Sequence, residues 1–448
     1  MVGRKKKPKI CDKEDRISQL HEEDRISQLP EPLISEILCH LSTKDAVRTS
    51  ALSTKWRNFW RWVPGLDLDP YAFSDFDAYV SFVEKFFDSH RESWIRKLRL
   101  SFGYFRHGMC DLTSWIDAVT RRRIQHLDVS SFHGGEIPLS IYTCETLVDL
   151  RLSEVTLCNT EFVSLPCLKI MHLRHNRFPN ETTLQKLISG SPVLEDLTII
   201  RYPIDNAEVL QVRSHMLKRV YINDGIQVVI DAPLLQCLRA TVSSPKNFQI
   251  VNLGSSAKLD ISFAYNDVTY SSSMIHDILT DILRVRELVI RNAIFWEEIF
   301  QYSKSGPMHQ FRYLSCLNAK FSETHLEILP TLLESCPKLE SLILKLVKDS
   351  CMSGKKKKEP KLMFSTVPQC LVSSLKFVEW TRALSGYEGE IELVRYFLKN
   401  SKILEKFRLE AYYTEKAKCA FLQELLTMPR CSSVCEIHVS LIPRNKYG

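Results

Sequence analysis

The feature that most limits the possible folds of this chain is a short apolar pattern that recurs from residue 95 to the C-terminal region. The pattern has the form apolar-x-x-apolar-x-apolar, and polar residues fill the positions between. It begins at Ile95, Ile124, Leu147, Leu168, Leu194, Leu217, Leu235, Val285, Phe311, Leu339, Val372, Leu404 and Val434, with a weaker copy around Leu259 and Ile261. Recurrence at a period of 20–50 residues predicts a stack of similar units in place of one closed domain.

Three longer copies indicate what each unit contains. Leu187–Ile199 aligns with Leu332–Leu344 and with Phe397–Leu409. In each copy a helical segment ends near a residue that tolerates a left-handed cap, Gly190 in the first and Asn400 in the third. A short strand with alternating apolar and polar residues then follows.

One strand and one helix cannot form a core alone, but stacked neighbours can, by lining their strands into a parallel sheet with the helices behind it. The step between copies is about 26 residues on average, within the range of leucine-rich repeats. We therefore predict an α/β fold in which residues 93–350 form an irregular leucine-rich-repeat solenoid, or horseshoe. An ordinary α/β domain with leucine-rich strands is the alternative, and it fits the recurrence less well.

The repeats depart from the regular leucine-rich pattern at the turn after each strand. The asparagine expected three residues after the last apolar position is present at Asn176. Other turns carry a different residue at this place, namely Gly103, Phe132, Val155, Tyr202 and Gly225. We expect those turns to satisfy their backbone groups in another way, and the curvature to be irregular.

Residues 24–62 have a different pattern, which predicts three short helices. After Leu29 and Pro30, apolar residues recur at one-face helical spacing, at Leu33, Ile34, Ile37, Leu38 and Leu41. The second helix is predicted to begin at Ser42 or Thr43, with Ser42 and Asp45 as a capping pair. The third is predicted to begin near Ser53 and to place Trp56, Phe59 and Trp60 on one stripe.

Three such short helices can hardly bury all of these side chains among themselves. Because each large apolar side chain gains about 1.5–3 kcal/mol when fully buried, the surplus predicts an exposed patch that binds another protein. The alternative is a helical bundle that only caps the next domain.

The run from Leu29 to Trp60 resembles an F-box, specifically the plant type that closes with Leu-Ser-x-x-Trp-Arg, here Leu52–Arg57. The resemblance implies docking onto a Skp-type adaptor and, through it, onto a cullin of a ubiquitin ligase. The residues that match the core and adaptor-binding positions of the family are Leu29, Pro30, Leu33, Ile34, Ile37, Leu38, Val47 and Trp56.

The C-terminal part also resembles a known domain. Residues 366–410, including Val378-Glu379-Trp380, are similar to the FBD domain, and residues 137–147 are similar to a segment of plant F-box proteins with repeats. The chain is thus identified as a member of the F-box/FBD/LRR-repeat family. The predicted domains are a basic, disordered tail (1–23), the F-box (24–62), a linker with a packing helix (63–92), the repeats (93–350), a lysine-rich loop (351–361), an FBD-like continuation of the fold (362–440) and a tail (441–448).

Charge and cysteine content limit the environment and the partners. The net charge of +7 is modest for 448 residues, so it does not demand a nucleic-acid partner. The fourteen cysteines form no tight framework, and no stretch approaches the length of a membrane span. We expect a protein of the nucleus, the cytoplasm or both. The basic runs at residues 4–9 and 355–358 are either nuclear import signals or solvated segments.

No catalytic, cofactor-binding or metal-binding pattern is present in the sequence. Phosphate-binding loops, nucleophile elbows and four-ligand zinc spacings are absent, and Cys431 and Cys435 form a lone pair. We predict a non-enzyme, the substrate-recognition subunit of a Skp–cullin–F-box ubiquitin ligase, which binds the adaptor through its F-box and an unidentified target protein through its repeats. The alternatives are a scaffold that binds the adaptor without causing degradation, and a basic nuclear protein that contacts nucleic acid.

Overall fold

The structure is a computed structural model. It describes residues 28–89, 95–102, 112–131, 134–201, 209–224, 228–242, 248–254, 257–263, 283–291, 311–322, 326, 328–347, 366–383, 388–413 and 415–443. The chain divides into two compact units, Met1–His133 and Gly134–Gly448. The predicted N-terminal tail (1–23) and lysine-rich loop (351–361) lie outside the described residues, as do residues 444–448. The C-terminal tail was predicted to begin at residue 441, but residues 441–443 belong to the last strand, Glu436–Pro443.

The first unit contains the helical segment and three parallel strands. Its α-helices are α1 Glu31–Cys39, α2 Thr43–Arg48, α3 Phe76–Ser89 and α4 Leu112–Thr120. Its 3₁₀ helices are Thr49–Ala51, Trp56–Trp62 and Pro70–Ala72. Its strands are β1 Gly65–Leu68, β2 Lys97–Phe102 and β3 His126–Ser131, which pair in that order. Alternate residues of these strands are buried, as the sequence pattern predicts.

Helix α3 is held by aromatic contacts with the following repeats. Tyr79 contacts Phe102 of β2 at a ring-centroid distance of 6.0 Å, and Phe87 contacts Trp115 of α4 at 6.5 Å. The predicted packing helix is therefore present, and its aromatic side chains pack on the first repeats. The described contacts that tie the helical segment to the strands run instead through α2 and β1.

The second unit is built from parallel strands, most of them stacked in one main sheet to which successive repeats each contribute one strand. Its strands are β4 Asp149–Ser153, β5 Ile170–Arg174, β6 Asp196–Ile200, β7 Leu210–Arg213, β8 Arg219–Asp224, β9 Val228–Ala232, β10 Cys237–Val242, β11 Phe248–Leu253, β12 Lys258–Phe263, β13 Glu287–Ile290, β14 Cys316–Ser322, β15 Ser341–Val347, β16 Phe377–Ala383, β17 Lys406–Tyr413 and β18 Glu436–Pro443. Its described helices are the 3₁₀ helix Leu139–Thr143, α5 Glu181–Ser189, α6 Leu329–Glu334, α7 Gln369–Ser373, α8 Glu388–Asn400 and α9 Glu415–Thr427.

These strands confirm the predicted α/β fold class and its repeat solenoid. The main sheet of this unit has the order β4-β5-β6-β8-β10-β12-β13-β14-β15-β16-β17-β18, and every described pairing is parallel. The FBD-like residues form β16 and β17 of the same sheet, so they continue the repeats.

In two repeats the predicted first residue of the pattern is wrong. Phe311 and Val372 each lie three residues before the true first position. The strand pairings align Leu314 with Val285, since Leu317 pairs with Leu288, and they align Leu375 with Leu339. In both repeats the residues before the strand are themselves apolar, so the pattern fits two frames. Sequence spacing alone does not choose between them, because only the strand pairing fixes the register.

A second parallel sheet has the order β11-β9-β7, and its strands alternate along the chain with β8 and β10 of the main sheet, at places where helices were expected. The expectation of a helix behind every strand was therefore wrong for these repeats. Residues Leu210, Val212, Val228 and Ile230 are buried in alternation with exposed or half-buried ones. This period of two is the signal for strands, and it is present in the sequence.

Asn176 and Gly190 show how the turns of the repeats are held. The side chain of Asn176 is buried; its Nδ2 donates to the carbonyl of Leu152 at 3.0 Å, and its Oδ1 accepts from the amide of Val155 at 3.1 Å. Gly190 has φ −77°, so the expected left-handed cap is wrong. Glycine is needed there for space, because a Cβ would lie 2.6 Å from the carbonyl oxygen of Val163.

Replacing Asn176 tests whether its amide holds the turn between β4 and β5. Asn176→Ala leaves the amide of Val155 without its hydrogen-bond partner, which costs about 1–3 kcal/mol of unfolding free energy. Urea denaturation of the full chain measures this loss. The control is Asn159→Ala, because Asn159 is exposed and bonds only an exposed side chain, and its change should stay within about 0.5 kcal/mol. Equal effects of the two substitutions would contradict this role.

Candidate interaction surfaces

The helical module (residues 28–63) has its own small apolar core. The buried members of this core are Ile34, Leu38, Ala46, Trp56, Phe59 and Val63. The rings of Trp56 and Phe59 meet edge to face, with centroids 5.9 Å apart. Leu29, Cys39 and Trp60 pack against it and stay partly exposed. This core fixes α1, α2 and the 3₁₀ helix Trp56–Trp62 against one another.

The starts of α1 and α2 confirm the predicted boundaries. Pro30 is the residue before α1, and Pro32 lies in its first turn, where a missing N–H costs no hydrogen bond. Ser42 caps α2, since its Oγ accepts from the amide of Asp45 at 3.2 Å. The hydroxyl of Ser42 also donates to the Asp45 carboxylate, and this bond, helped by Arg48, lowers the pKa of Asp45.

The third helix differs from the expectation. It is a 3₁₀ helix that begins at Trp56, not an α-helix that begins near Ser53. Residues three apart eclipse one another in a 3₁₀ helix, which places Trp56 and Phe59 on the same buried side. Trp60 is only half-buried.

Helix α1 has a second apolar face that the module does not cover. Leu33 is 53% exposed, Ile37 45% and Leu41 37%, although all three are large aliphatic residues. Leu33 and Ile37 lie four residues apart in α1, so their side chains form one row along the helix, and Leu41 follows four residues later, just after the helix ends at Cys39. Pro30 is exposed one turn before this row. We call Leu33, Ile37 and Leu41 the exposed row.

The structure separates the eight predicted adaptor-binding residues into two groups. Ile34, Leu38 and Trp56 are buried in the core, so in this conformation they support the module and do not reach a partner. Pro30, Leu33 and Ile37 are exposed, and Leu29 and Val47 are half-buried. The residues available for contact are thus Leu33 and Ile37, with Pro30 beside them. Leu41 was not in the predicted set, although its helical spacing is the signal that finds it.

The module is fastened to β1 and β2 by polar contacts that the sequence analysis missed. Thr43 is buried at the start of α2, and its Oγ1 accepts from the amide of Asp67 in β1 at 2.8 Å. The carboxylate of Asp67 accepts from Lys97 Nζ of β2 at 3.0 Å. Because these residues are 24 and 30 positions apart, spacing gives no signal of the contact. The contact fixes the orientation of α2 on the strands of the first unit.

The second unit presents a polar strand face on the main sheet. It is formed by the residues between the buried positions, and strand pairing aligns its middle row as Arg151, His172, Thr198, Tyr221, Arg239, Asp260, Val289, Asn318, Ile343, Glu379, Arg408 and His438. Such a row of side chains on parallel strands is a surface on which a partner can bind.

Asp260 is the buried acid of this face. Its carboxylate accepts from Arg239 Nε at 2.9 Å and from Arg291 Nε and Nη2 at 2.7 Å each. Burial by itself would raise the pKa of Asp260, but the hydrogen bonds and charges of Arg291 and Arg239 outweigh it and hold the pKa below its ordinary value. The guanidinium of Arg239 also lies 5.5 Å from the ring centroid of Tyr221.

Among the residues that the structure describes, no three His, Cys, Asp or Glu side chains lie close enough to hold a metal ion. Cys431 is exposed while Cys435 is buried. None of the described helices is both long and apolar enough to span a bilayer.

Comparisons with known proteins match three parts of the chain. A family model described as F-box domain matches residues 26–67, one described as FBD-associated F-box protein At5g56370, LRR repeats, matches residues 112–264, and one described as FBD matches residues 364–409. The matches include β7, β9 and β11, so the family's repeats extend over the second sheet.

The whole chain is also similar to curated plant proteins. It is 65% identical to the F-box/FBD/LRR-repeat protein At1g51370 of Arabidopsis thaliana, over 98% of this chain and 100% of that protein. It is 50% identical to the F-box/FBD/LRR-repeat protein At5g53840 of the same plant, over 96% of this chain and 98% of that protein. The F-box/FBD/LRR-repeat protein At5g22660 is 41% identical, over 95% and 96%.

The ion pairs of Asp260 predict a pH dependence of stability. Because the folded pKa is below the ordinary value of about 3.9, the stability that Asp260 contributes is present above pH 4 and is lost as the pH falls through the folded pKa. Asp260→Asn should cost about 1–2 kcal/mol at pH 7, the lower part of the range for charged hydrogen bonds, since both guanidinium groups reach solvent.

Urea denaturation of the wild type and of Asp260→Asn from pH 7 to pH 3 measures the difference. It should shrink toward pH 3. A difference that stays constant over this range would contradict the assignment.

Proposed function

Because the chain belongs to the F-box/FBD/LRR-repeat family, we propose that it is the substrate-recognition subunit of a Skp–cullin–F-box ubiquitin ligase. In this proposal the helical module binds a Skp-type adaptor, the adaptor connects it to a cullin, and the repeats bind a target protein. The exposed row is the observation that carries the proposal.

The exposed row has the properties of an interface anchor. Leu33 and Ile37 lie in α1 and Leu41 lies two residues after its end, while the neighbouring side of α1 is locked into the module core through Ile34 and Leu38. The row is therefore rigid before a partner binds, so little conformational entropy is lost on binding. Burying Leu33 and Ile37 against a partner gains about 1.5–3 kcal/mol each.

The role assigned to this chain is positioning, and we propose that ubiquitin transfer takes place on other subunits. Holding a target near a reactive group turns an encounter between two molecules into a reaction within one assembly. The contacts of Thr43 with Asp67 and of Asp67 with Lys97 serve this role, because they hold the adaptor-binding module in a fixed orientation on β1 and β2.

Replacing two residues of the exposed row tests adaptor binding. Leu33→Glu with Ile37→Glu places two charges at the centre of the proposed interface and should weaken the affinity for a Skp-type adaptor at least 100-fold, about 2.7 kcal/mol. The measurement is isothermal titration calorimetry with the full chain. Both side chains reach solvent, so the melting temperature should change little.

The matched control is Leu426→Glu, since Leu426 is also an exposed leucine on a helix, 76% exposed, and lies in the second unit. It should bind the adaptor as the wild type does. Wild-type affinity in the Leu33/Ile37 variant would show that the exposed row is not the docking face.

A second experiment separates a ligase subunit from a scaffold. In a reconstituted assembly of adaptor, cullin and conjugating enzyme, a target protein crosslinked to the repeats should acquire ubiquitin chains with the wild type and not with the Leu33/Ile37 variant. Adaptor binding without ubiquitin transfer to any bound protein would favour the non-degradative scaffold. Nucleic-acid binding with a steep salt dependence, and no adaptor binding, would favour the third alternative.

A further inference from the structure

Two lysines lie side by side on the polar strand face of β14 and β15. Lys320 and Lys345 are register partners in the parallel pair, and both side chains are half-buried. Neighbouring strands are about 4.8 Å apart, so the two stems leave the sheet next to each other. Like charges directly opposite one another on paired strands destabilise the sheet.

The carboxylates around these lysines are already engaged. Asp260 accepts from both Arg239 and Arg291, Glu287 pairs with Lys258 at 3.1 Å, and Glu379 pairs with Arg408 at 3.4 Å. In the part of the chain that the structure describes, no acidic side chain pairs with Lys320 or Lys345.

Arg291 extends the lysine pair to a third strand. It follows Ile290 of β13, whose register partner Ala319 precedes Lys320. Arg291, Lys320 and Lys345 thus lie on, or directly after, three neighbouring strands, and Asp260 is the one carboxylate among the described residues that pairs with any of them. The excess positive charge lies on one face and within one stretch of the sheet, so it attracts an anionic partner.

An apolar side chain lies beside the cations. Ile343 is two residues before Lys345 on β15, so both side chains point to the same face, and Ile343 is half-buried. This surface therefore combines positive charge with an aliphatic contact.

We propose that the polar strand face over β13, β14 and β15 binds an acidic segment of a protein. Its carboxylates lie against Arg291, Lys320 and Lys345, and one of its apolar side chains packs on Ile343. This inference rests on the proposed function in one respect, that the repeats bind the target. It adds that the target carries an acidic segment.

The aromatic content of these strands argues against a nucleic acid as the partner. Binding of single-stranded nucleic acid uses aromatic side chains on which bases stack. The outward positions of β13, β14 and β15 carry no aromatic residue, and the only ring in the three strands, that of Phe321, is fully buried.

The test uses the full chain without adaptor and a fluorescein-labelled peptide probe of twelve residues that contains only Glu and Leu. Fluorescence anisotropy measures its affinity for the wild type, for Lys345→Glu and for the control Lys399→Glu. Lys399 is an exposed lysine on α8, away from the strand face. The charge reversal at Lys345 should weaken binding about tenfold or more, and the control should stay within twofold. A peptide with Gln in place of Glu should not bind.

The melting temperature of Lys345→Glu shows whether this variant still folds. Lys345→Glu places a carboxylate opposite Lys320 in the register, which replaces a repulsive pair by an attractive one, so its melting temperature should rise. A lower melting temperature would mean that Lys345 already has a partner within the chain, and it would overturn the proposal.

Three further results would overturn it. The first is that Lys345→Glu binds the acidic peptide as tightly as the wild type does. The second is that the wild type binds the Gln peptide as tightly as the Glu peptide. The third is that the wild type binds an oligothymidylate as tightly as the acidic peptide, which would show a general anion-binding patch. Since no adaptor takes part, a failure of this assay and a failure of adaptor binding are separate results.

Discussion

Helix α1 carries more apolar surface than its own module can bury, and the function proposed for this protein depends on that surplus. Ile34 and Leu38 face Trp56 and Phe59 and hold the helix in place. Leu33 and Ile37 lie beside them on the same helix, Leu41 follows just after its end, and all three remain exposed. A cluster of exposed aliphatic side chains of this kind is typical of an interaction site. The buried side supplies rigidity, and the exposed row supplies affinity.

The two surfaces of the chain have different chemistry, which suits two different kinds of partner. The exposed row is aliphatic, so the adaptor binding proposed for it depends on the hydrophobic effect, which changes little with salt. The strand face around Asp260, Lys320 and Lys345 is cationic and half-buried, so its interactions depend on charge and weaken with ionic strength. A protein that keeps a constant adaptor but selects one target needs this division, because charge complementarity provides specificity more than raw affinity.

Sequence patterns found the elements of this fold more reliably than the contacts between them. The helical spacing from Leu33 to Leu38, the cap at Ser42 and the asparagine at Asn176 are local signals, and each is confirmed, although the helix ends at Cys39, before Leu41. The split between Ile34 and Leu33 was not predictable, since the spacing marks one wide apolar stripe and only the docking of Trp56 decides which half is buried. The contact of Thr43 with Asp67 and the pairs of Asp260 join residues 21 to 31 positions apart, and only the strand register brings them together.

The measurement that tests the central claim most directly is hydrogen–deuterium exchange of the full chain with and without a Skp-type adaptor. If the uncovered side of α1 is the docking face, the backbone amides of residues 31–41 should exchange more slowly when the adaptor is bound, while those of β4 to β18 should be unchanged. Slower exchange confined to the repeats, with α1 unaffected, would contradict the account.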